Sequence, residues 1–318
     1  MSKLRSCREA YTETLRELAT QDPDIIVLSS DARGSCTLNG FVDHLPEQYV
    51  EIGIAEQNLI GVSAGLAAVG KKPYVCAPAC FLSARSLEQI KVDVAYSHQN
   101  VKILGVSGGI SYGALGASHH TLHDIAALRA IPDIMVIIPS DAVQTQAVLK
   151  QVSALDGAAY IRIGRDKIPA VYASRPEVEP FTLGKATLLR DGRDVTLVAC
   201  GELVHHALMA CDLLAEQGIE ARLLDMASLK PFDTDAIIQA AKETRAIVTI
   251  EEHSINGGLG ATVSQIVTAC HPTHVRTLAL PDEFLVTGTS LELFAHYRLD
   301  AKGIAASTAD LLASLENH

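Results

Sequence analysis

The chain contains no tryptophan, and Phe, Tyr and Trp together supply only 4% of its 318 residues. Recognition of a base or a flat cofactor by extended aromatic stacking therefore has few residues to draw on. Basic charge is also scarce, with 26 Lys plus Arg against 37 Asp plus Glu and a formal net charge of −11. That sign argues against a surface built to neutralise nucleic-acid phosphates, while leaving room for a local pocket for a small anion. No apolar run approaches the roughly 18–20 residues that span a bilayer, and the charged N-terminal stretch lacks the apolar centre of a secretory signal. The expectation at this level is a soluble, cytoplasmic protein with neither nucleic acid nor membrane as a partner. The seven cysteines (7, 36, 76, 80, 200, 211 and 270) are odd in number and lack paired short spacings. They read as mostly buried small hydrophobes, not as a disulfide framework. Cys76 and Cys80 have no second pair to complete a zinc set, and no P-loop or G-x-S-x-G elbow occurs.

What is present is a normal globular balance, 48% hydrophobic and 20% charged, with length enough for two domains. Residues 4–19 carry apolar positions at helical spacing (Leu4, Cys7, Tyr11, Leu15, Leu18) and predict an amphipathic helix. The apolar burst at 24–31 ends in Ser29, Ser30 and Asp31, as a buried parallel strand ends at a sheet edge where sites gather. Further strands are predicted at 73–76, 101–108, 133–140 and 158–164, with helices at 55–68, 84–96, 121–130 and 141–154. Prolines and broken periodicity mark 165–183 as a linker. A second unit follows, with strands at 194–201, 221–228 and 246–253 and helices at 203–217 and 233–243. The fold class is α/β: a mostly parallel sheet flanked by helices over 1–180, then a smaller α/β domain over 181–318.

Three segments carry chemistry. In EIGIAEQNLIGVSAGLAAVG (51–70) a helix opens near Ala55 and is rich in small residues, so it can pack close to a neighbour. Glu56 falls in its first turn, where the helix dipole favours a carboxylate; satisfying free amides is the simpler role. In GISYGALGASHHTLHDIAALRAIPDI (109–134) three glycines precede His119, His120 and His123 at a helix start. His119 and His123 are four apart, on one helical face, but no acidic third ligand accompanies them, so a hydrogen-bonding or acid role is expected rather than a metal. In EEHSINGGLG (251–260) the glycines lack the third position of a dinucleotide fingerprint and indicate a tight turn.

Taken in order, GIAEQNLIG, the loop ending GASHH, LRAIP, LLDMASLKPFD and EEHSINGGLG resemble the C-terminal half of transketolase, over nearly the whole chain. The 1-deoxyxylulose-5-phosphate synthases share much of the pattern. The resemblance implies a pyrimidine-binding domain followed by the transketolase C-terminal domain, with thiamine diphosphate as cofactor. In that family the helix-start glutamate, here Glu56, hydrogen-bonds N1′ of the aminopyrimidine, and the cofactor serves as electron sink while a C–C bond of a ketose breaks. The two-carbon unit then passes to an aldehyde acceptor. His119 matches the histidine that bonds substrate oxygens and moves protons. Phe81 matches the aromatic packed on the pyrimidine, while Ala84 and Leu87 replace larger rings. Asp31 and Ile54 match positions beside the cofactor. Arg8, Ser35 and Arg162 match positions that grip a sugar phosphate.

The departures concentrate in one loop. A substrate-binding histidine of the family is replaced by Ser107, and an acidic pair by Ala114 and Leu115. An acid at position 115 would hold a sugar hydroxyl, so an apolar side chain there implies a changed preference: a branched, deoxy, sulfonated or otherwise unusual sugar. The family's GDG motif, which with a following Asn holds Mg2+ and the diphosphate, is also missing. The resemblance thus implies a separately encoded N-terminal subunit that carries the diphosphate-binding domain and the Mg2+, assembled as an α2β2 heterotetramer, with no metal ligand from this chain. Rival readings are the beta subunit of a 2-oxoacid dehydrogenase decarboxylase, a deoxyxylulose-phosphate synthase-like enzyme, and a silent homologue serving as a scaffold.

Overall fold

The computed structural model describes residues 4–316. Seven strands form the first sheet, in the order Ser228–Lys230, Ile134–Ile137, Ala158–Ile163, Lys102–Val106, Lys72–Pro78, Ile25–Ser29 and Tyr49–Glu51. Six are parallel, and Ser228–Lys230 runs antiparallel to Ile134–Ile137. The central strands read as nearly continuous Val, Ile, Leu and Ala because helices cover both faces of the sheet. One face buries Tyr11, Leu15, Phe41 and Val148 under the helices Cys7–Gln21 and Ala142–Ser153. Both helices start at side-chain caps: Ser6 forms a capping box with Glu9, and Asp141 accepts from the Gln144 N–H.

The second sheet has the order His274–Leu280, Ala246–Ser254, Val195–Ala199, Ala221–Asp225 and Thr187–Arg190, with only the last strand antiparallel. The two sheets share a core: Leu59, Ile90 and Tyr160 lie in one apolar cluster with Val198, Met226 and Ile247. Ser228–Lys230, although late in sequence, completes the first sheet, and Arg5–Ser6 pairs with Lys167–Ile168 across the other end. The first pairing joins the two α/β units, and the second closes the first unit on itself.

Most predicted helices and strands are present. The helices Ser290–His296 and Ala301–Glu316 and the strand His274–Leu280 are additions to the elements predicted. Helical spacing for His119 and His123 is corrected: both precede the helix Asp124–Arg129, and His119 sits in a turn with its N–H bonded to the Gly116 carbonyl. Six cysteines are buried thiols and Cys270 is exposed. Among the described residues no helix is long and apolar enough to cross a membrane.

Candidate active site

At the carboxyl edge of the first sheet the strand Ile25–Ser29 ends beside Tyr49–Glu51. Glu51 organises this corner. Its Oε1 accepts the N–H groups of Asp31 (2.7 Å) and Gly53 (2.8 Å), and its Oε2 accepts the Tyr49 hydroxyl (2.6 Å). Burial raises the carboxyl pKa, but these hydrogen bonds outweigh it and hold the group below its ordinary value. Asp31 is held at φ +53° and Gly53 at φ +80°, so the backbone turns sharply twice within one small knot. The consequence is an outward Ile54, 75% exposed, followed at once by the helix Glu56–Ala68.

Glu56 opens that helix and is only 2% exposed. Its Oε1 accepts the Ser30 hydroxyl at 3.3 Å and its Oε2 pairs with Arg85 Nη1 at 2.5 Å. The Arg85 guanidinium carbon also lies 4.7 Å from the centroid of the Phe81 ring. Phe81 meets His119 edge-on at 5.4 Å, and His119 meets Tyr112 edge-on at 5.6 Å. Ser118 orients His119 through a 3.0 Å contact with Nδ1. Arg165 stacks over the Tyr112 ring at 4.6 Å, and its carbonyl accepts from Arg8 Nε at 3.3 Å. Arg8 then donates through Nη1 to the Ser35 carbonyl at 2.9 Å. One unbroken line of contacts therefore runs from Glu56 to Ser35, bringing five of the sequence-predicted residues together: Glu56, Phe81, His119, Arg8 and Ser35.

Arg162 does not belong to this line. It lies inside the strand Ala158–Ile163, 4% exposed, against Asp124 at 3.5 Å. Its Nη2 donates to the carbonyls of Glu252 (2.7 Å) and Thr121 (3.2 Å). Both faces of a central parallel strand are covered, so a side chain inside the strand is used internally. The guanidinium beside Tyr112 and Arg8 belongs to Arg165, just past the strand end, and sequence reasoning missed it. The signal was available: polar groups beyond the carboxyl ends of parallel strands are the ones that face a cleft. Glu51 and Arg85 were missed too, and nothing in spacing alone marks either.

The loop that departs from the family pattern splits in two. Ser107 is fully buried at the tip of Lys102–Val106, with φ +60° and a hydroxyl that has no partner. It is therefore not presented to the cleft. Leu115 is 53% exposed in a short helical turn, Gly113–Leu115. Together with Tyr112 and Arg165 it lines a cavity of about 620 Å³, whose far wall is Glu202, His206 and Phe294 of the second unit. His120 is buried, with Nε2 3.3 Å from the Gly113 carbonyl, so it braces the loop from behind.

The glycine turn at 255–260 serves the fold. Glu251 accepts the N–H groups of Leu259 (2.7 Å) and Gly260 (2.8 Å), capping the helix Leu259–Cys270. The neighbouring His253 accepts the Ala126 N–H at 3.3 Å, capping a helix of the other unit, and burial lowers its pKa to about 4.

Residues 4–170 match the family model for the transketolase pyrimidine-binding domain, and residues 184–304 match that for the transketolase C-terminal domain. The chain is 53% identical over 307 residues to a subunit of the apulose-4-phosphate transketolase of Phocaeicola vulgatus, covering 96% of this chain and 97% of that one. It is 38% identical to the 6-deoxy-6-sulfo-D-fructose transketolase subunit SqwH of a Clostridium species, covering 96% and 94%. Among solved structures, a split-gene transketolase described as an inactive beta4 tetramer superposes with a TM-score of 0.86 at 37% identity, covering 98% and 99%. A Pichia stipitis transketolase at 22% identity shares the fold (TM-score 0.83), with this chain spanning 47% of its length. The chain belongs to the transketolase family, as the subunit of a two-subunit enzyme that carries the pyrimidine-binding and C-terminal domains.

Proposed function

We propose that this subunit, paired with a separately encoded subunit, transfers a two-carbon ketol unit from a branched sugar phosphate of the apulose 4-phosphate class to an aldose. The observation that carries the substrate reading is the exposed Leu115, where a hydroxyl-binding acid stands in the family loop, in a chain 53% identical to a subunit named for apulose 4-phosphate. A site that hydrogen-bonds a hydroxyl rejects analogues lacking it, whereas an apolar wall tolerates a displaced or missing one. Kinetics of the assembled enzyme test it: kcat/KM for apulose 4-phosphate is expected to exceed that for xylulose 5-phosphate, and the reverse order overturns the substrate assignment.

The family implies thiamine diphosphate, and this chain's residues fit its aminopyrimidine end. A buried acceptor, Glu56, lies across from an aromatic face, Phe81, with only the half-exposed Arg85 between them. When bound, the cofactor supplies the electron sink that bond cleavage needs. Glu56 would hold a proton at N1′, and Ile54, Phe81 and Asp31 would hold the heterocycle. His119, aimed by Ser118, bonds the substrate oxygens and passes protons. Arg8 and Arg165, with Ser35 behind them, would hold the phosphate as guanidinium forks, although burial lowers the pKa of Arg8. No group of three or more His, Cys, Asp and Glu gathers as a cation site among the described residues. Because the sequence lacks the family's GDG motif, Mg2+ and the diphosphate are assigned to the partner subunit, in an α2β2 assembly in which the helix Glu56–Ala68 packs at the subunit interface. The division into units near residue 180 belongs to the same proposal.

A further inference from the structure

The pair between Arg85 and Glu56 goes beyond anything the family pattern called for. Glu56 is almost wholly buried, and among its side-chain contacts only a 3.3 Å bond from Ser30 accompanies the guanidinium. A buried carboxylate left with one long hydrogen bond is costly. Arg85 relieves that cost with a short charge-assisted bond, while its flat fork lies over the Phe81 ring. The guanidinium thus fills the gap between the Glu56 carboxylate and the Phe81 face. That gap is the place of the aminopyrimidine in the reading proposed above, on which this inference rests. A ring packed on Phe81 with its nitrogen at Glu56 and a guanidinium making the same two contacts exclude one another.

We infer that Arg85 is a placeholder cation: in the cofactor-free chain it occupies the pyrimidine site and satisfies Glu56, and cofactor binding displaces it. The structure permits the exchange. Arg85 ends the short helix Ala79–Arg85, its side chain is 44% exposed, and Glu56 is its sole ion-pair partner among the described residues. Rotation of its side chain into solvent frees the pocket without moving the backbone. Arg85 is then a positioning residue acting through Glu56. It keeps the buried acid in place before assembly and lowers cofactor affinity by the free energy of the pair that must break.

Titration of thiamine diphosphate, in the presence of Mg2+, into the complex of this chain with its partner subunit tests the inference by calorimetry. Arg85→Gln is expected to bind the cofactor about tenfold more tightly, equivalent to about 1.4 kcal/mol. Arg85→Lys, which keeps the charge but loses the fork, is expected to fall between the two. In a Glu56→Gln background Arg85→Gln is expected to change nothing. In the free chain Arg85→Gln is expected to lower the unfolding midpoint, and to do so only when Glu56 is present. Unchanged or weaker binding in Arg85→Gln, or an equal gain in the Glu56→Gln background, overturns the placeholder. Failure of the underlying reading shows separately: Glu56→Gln would then leave proton exchange at thiamine C2 intact, whatever Arg85 does.

Discussion

Glu56 and the two arginines at 162 and 165 show how much a single position in a strand or helix decides. Glu56→Gln keeps the shape and the hydrogen bond from Ser30 but removes the acid. Proton exchange at thiamine C2 in the assembled enzyme is expected to fall by about 10²–10⁴, the usual contribution of a placed acid or base, with the circular dichroism spectrum unchanged. Arg165→Gln is expected to raise KM for phosphorylated donors while the unfolding midpoint stays fixed, because its fork faces the cavity beside Tyr112. Arg162→Gln is expected to do the opposite, costing about 3–5 kcal/mol of stability by stranding Asp124 inside the protein. Denaturant unfolding and steady-state kinetics on the two variants separate the roles. Glu56 stood out in the sequence through the family resemblance; by pattern alone a carboxylate at a helix start reads as a cap for free amides, whereas its oxygens meet Ser30 and Arg85. Arg162 was misjudged because in a central parallel strand both faces are buried, so outward-facing alternation gives no guidance there. Arg85 was illegible, since only the folded chain brings it across to Glu56 from another helix.

Among the elements, the helix Glu56–Ala68 has an unusual surface. Gly65 is exposed, and a Cβ built there meets nothing within 4 Å, so the chain itself places no demand on this glycine. The strongly exposed Ile54, Val69 and Tyr96 flank the same region. An apolar fringe around small residues is what a close helix–helix contact with another chain requires. Gly65→Leu is therefore expected to leave the unfolding midpoint of the free chain within about 0.5 kcal/mol of the parent, or to raise it slightly, because glycine is a poor helix former. The same variant is expected to abolish co-elution with the partner subunit in size-exclusion chromatography. The alternation of strands and helices was readable from apolar bursts and 3.6-residue spacing. The return of Ser228–Lys230 into the first sheet was not, because a three-residue antiparallel strand leaves no periodic trace. The stretch 255–260 read in sequence as a tight turn, and the structure adds that Glu251 accepts the Leu259 and Gly260 N–H groups as a carboxylate cap on the following helix.

For the whole molecule, the junction between the two units stores several carboxyls away from water. Burial pushes Glu251 and Asp225 up to about 7, against hydrogen bonds that pull them down, and burial shifts Glu252 in the same direction against Arg162. The folded chain thus retains protons that the unfolded chain releases near its ordinary carboxylate values, at about pH 4–4.5. With more protons bound by these three groups in the native state, their contribution to stability falls as pH rises from about 4.5 to about 7 and levels off above that, while His253, pulled down to about 4, contributes in the opposite sense. Glu252→Gln, which keeps an acceptor for the Ile110 N–H, is expected to make the fall shallower. Urea midpoints of the free chain at several pH values across that window measure it.

The proposed function gives this chain one end of the cofactor site and a phosphate grip, and gives its partner the Mg2+ and the diphosphate. Reconstitution tests this division of labour most directly. Transketolase turnover of apulose 4-phosphate would be measured for the purified chain, for its purified partner subunit and for an equimolar mixture, each with thiamine diphosphate and Mg2+. Activity is expected in the mixture alone. Full turnover by this chain without its partner would contradict the shared active site.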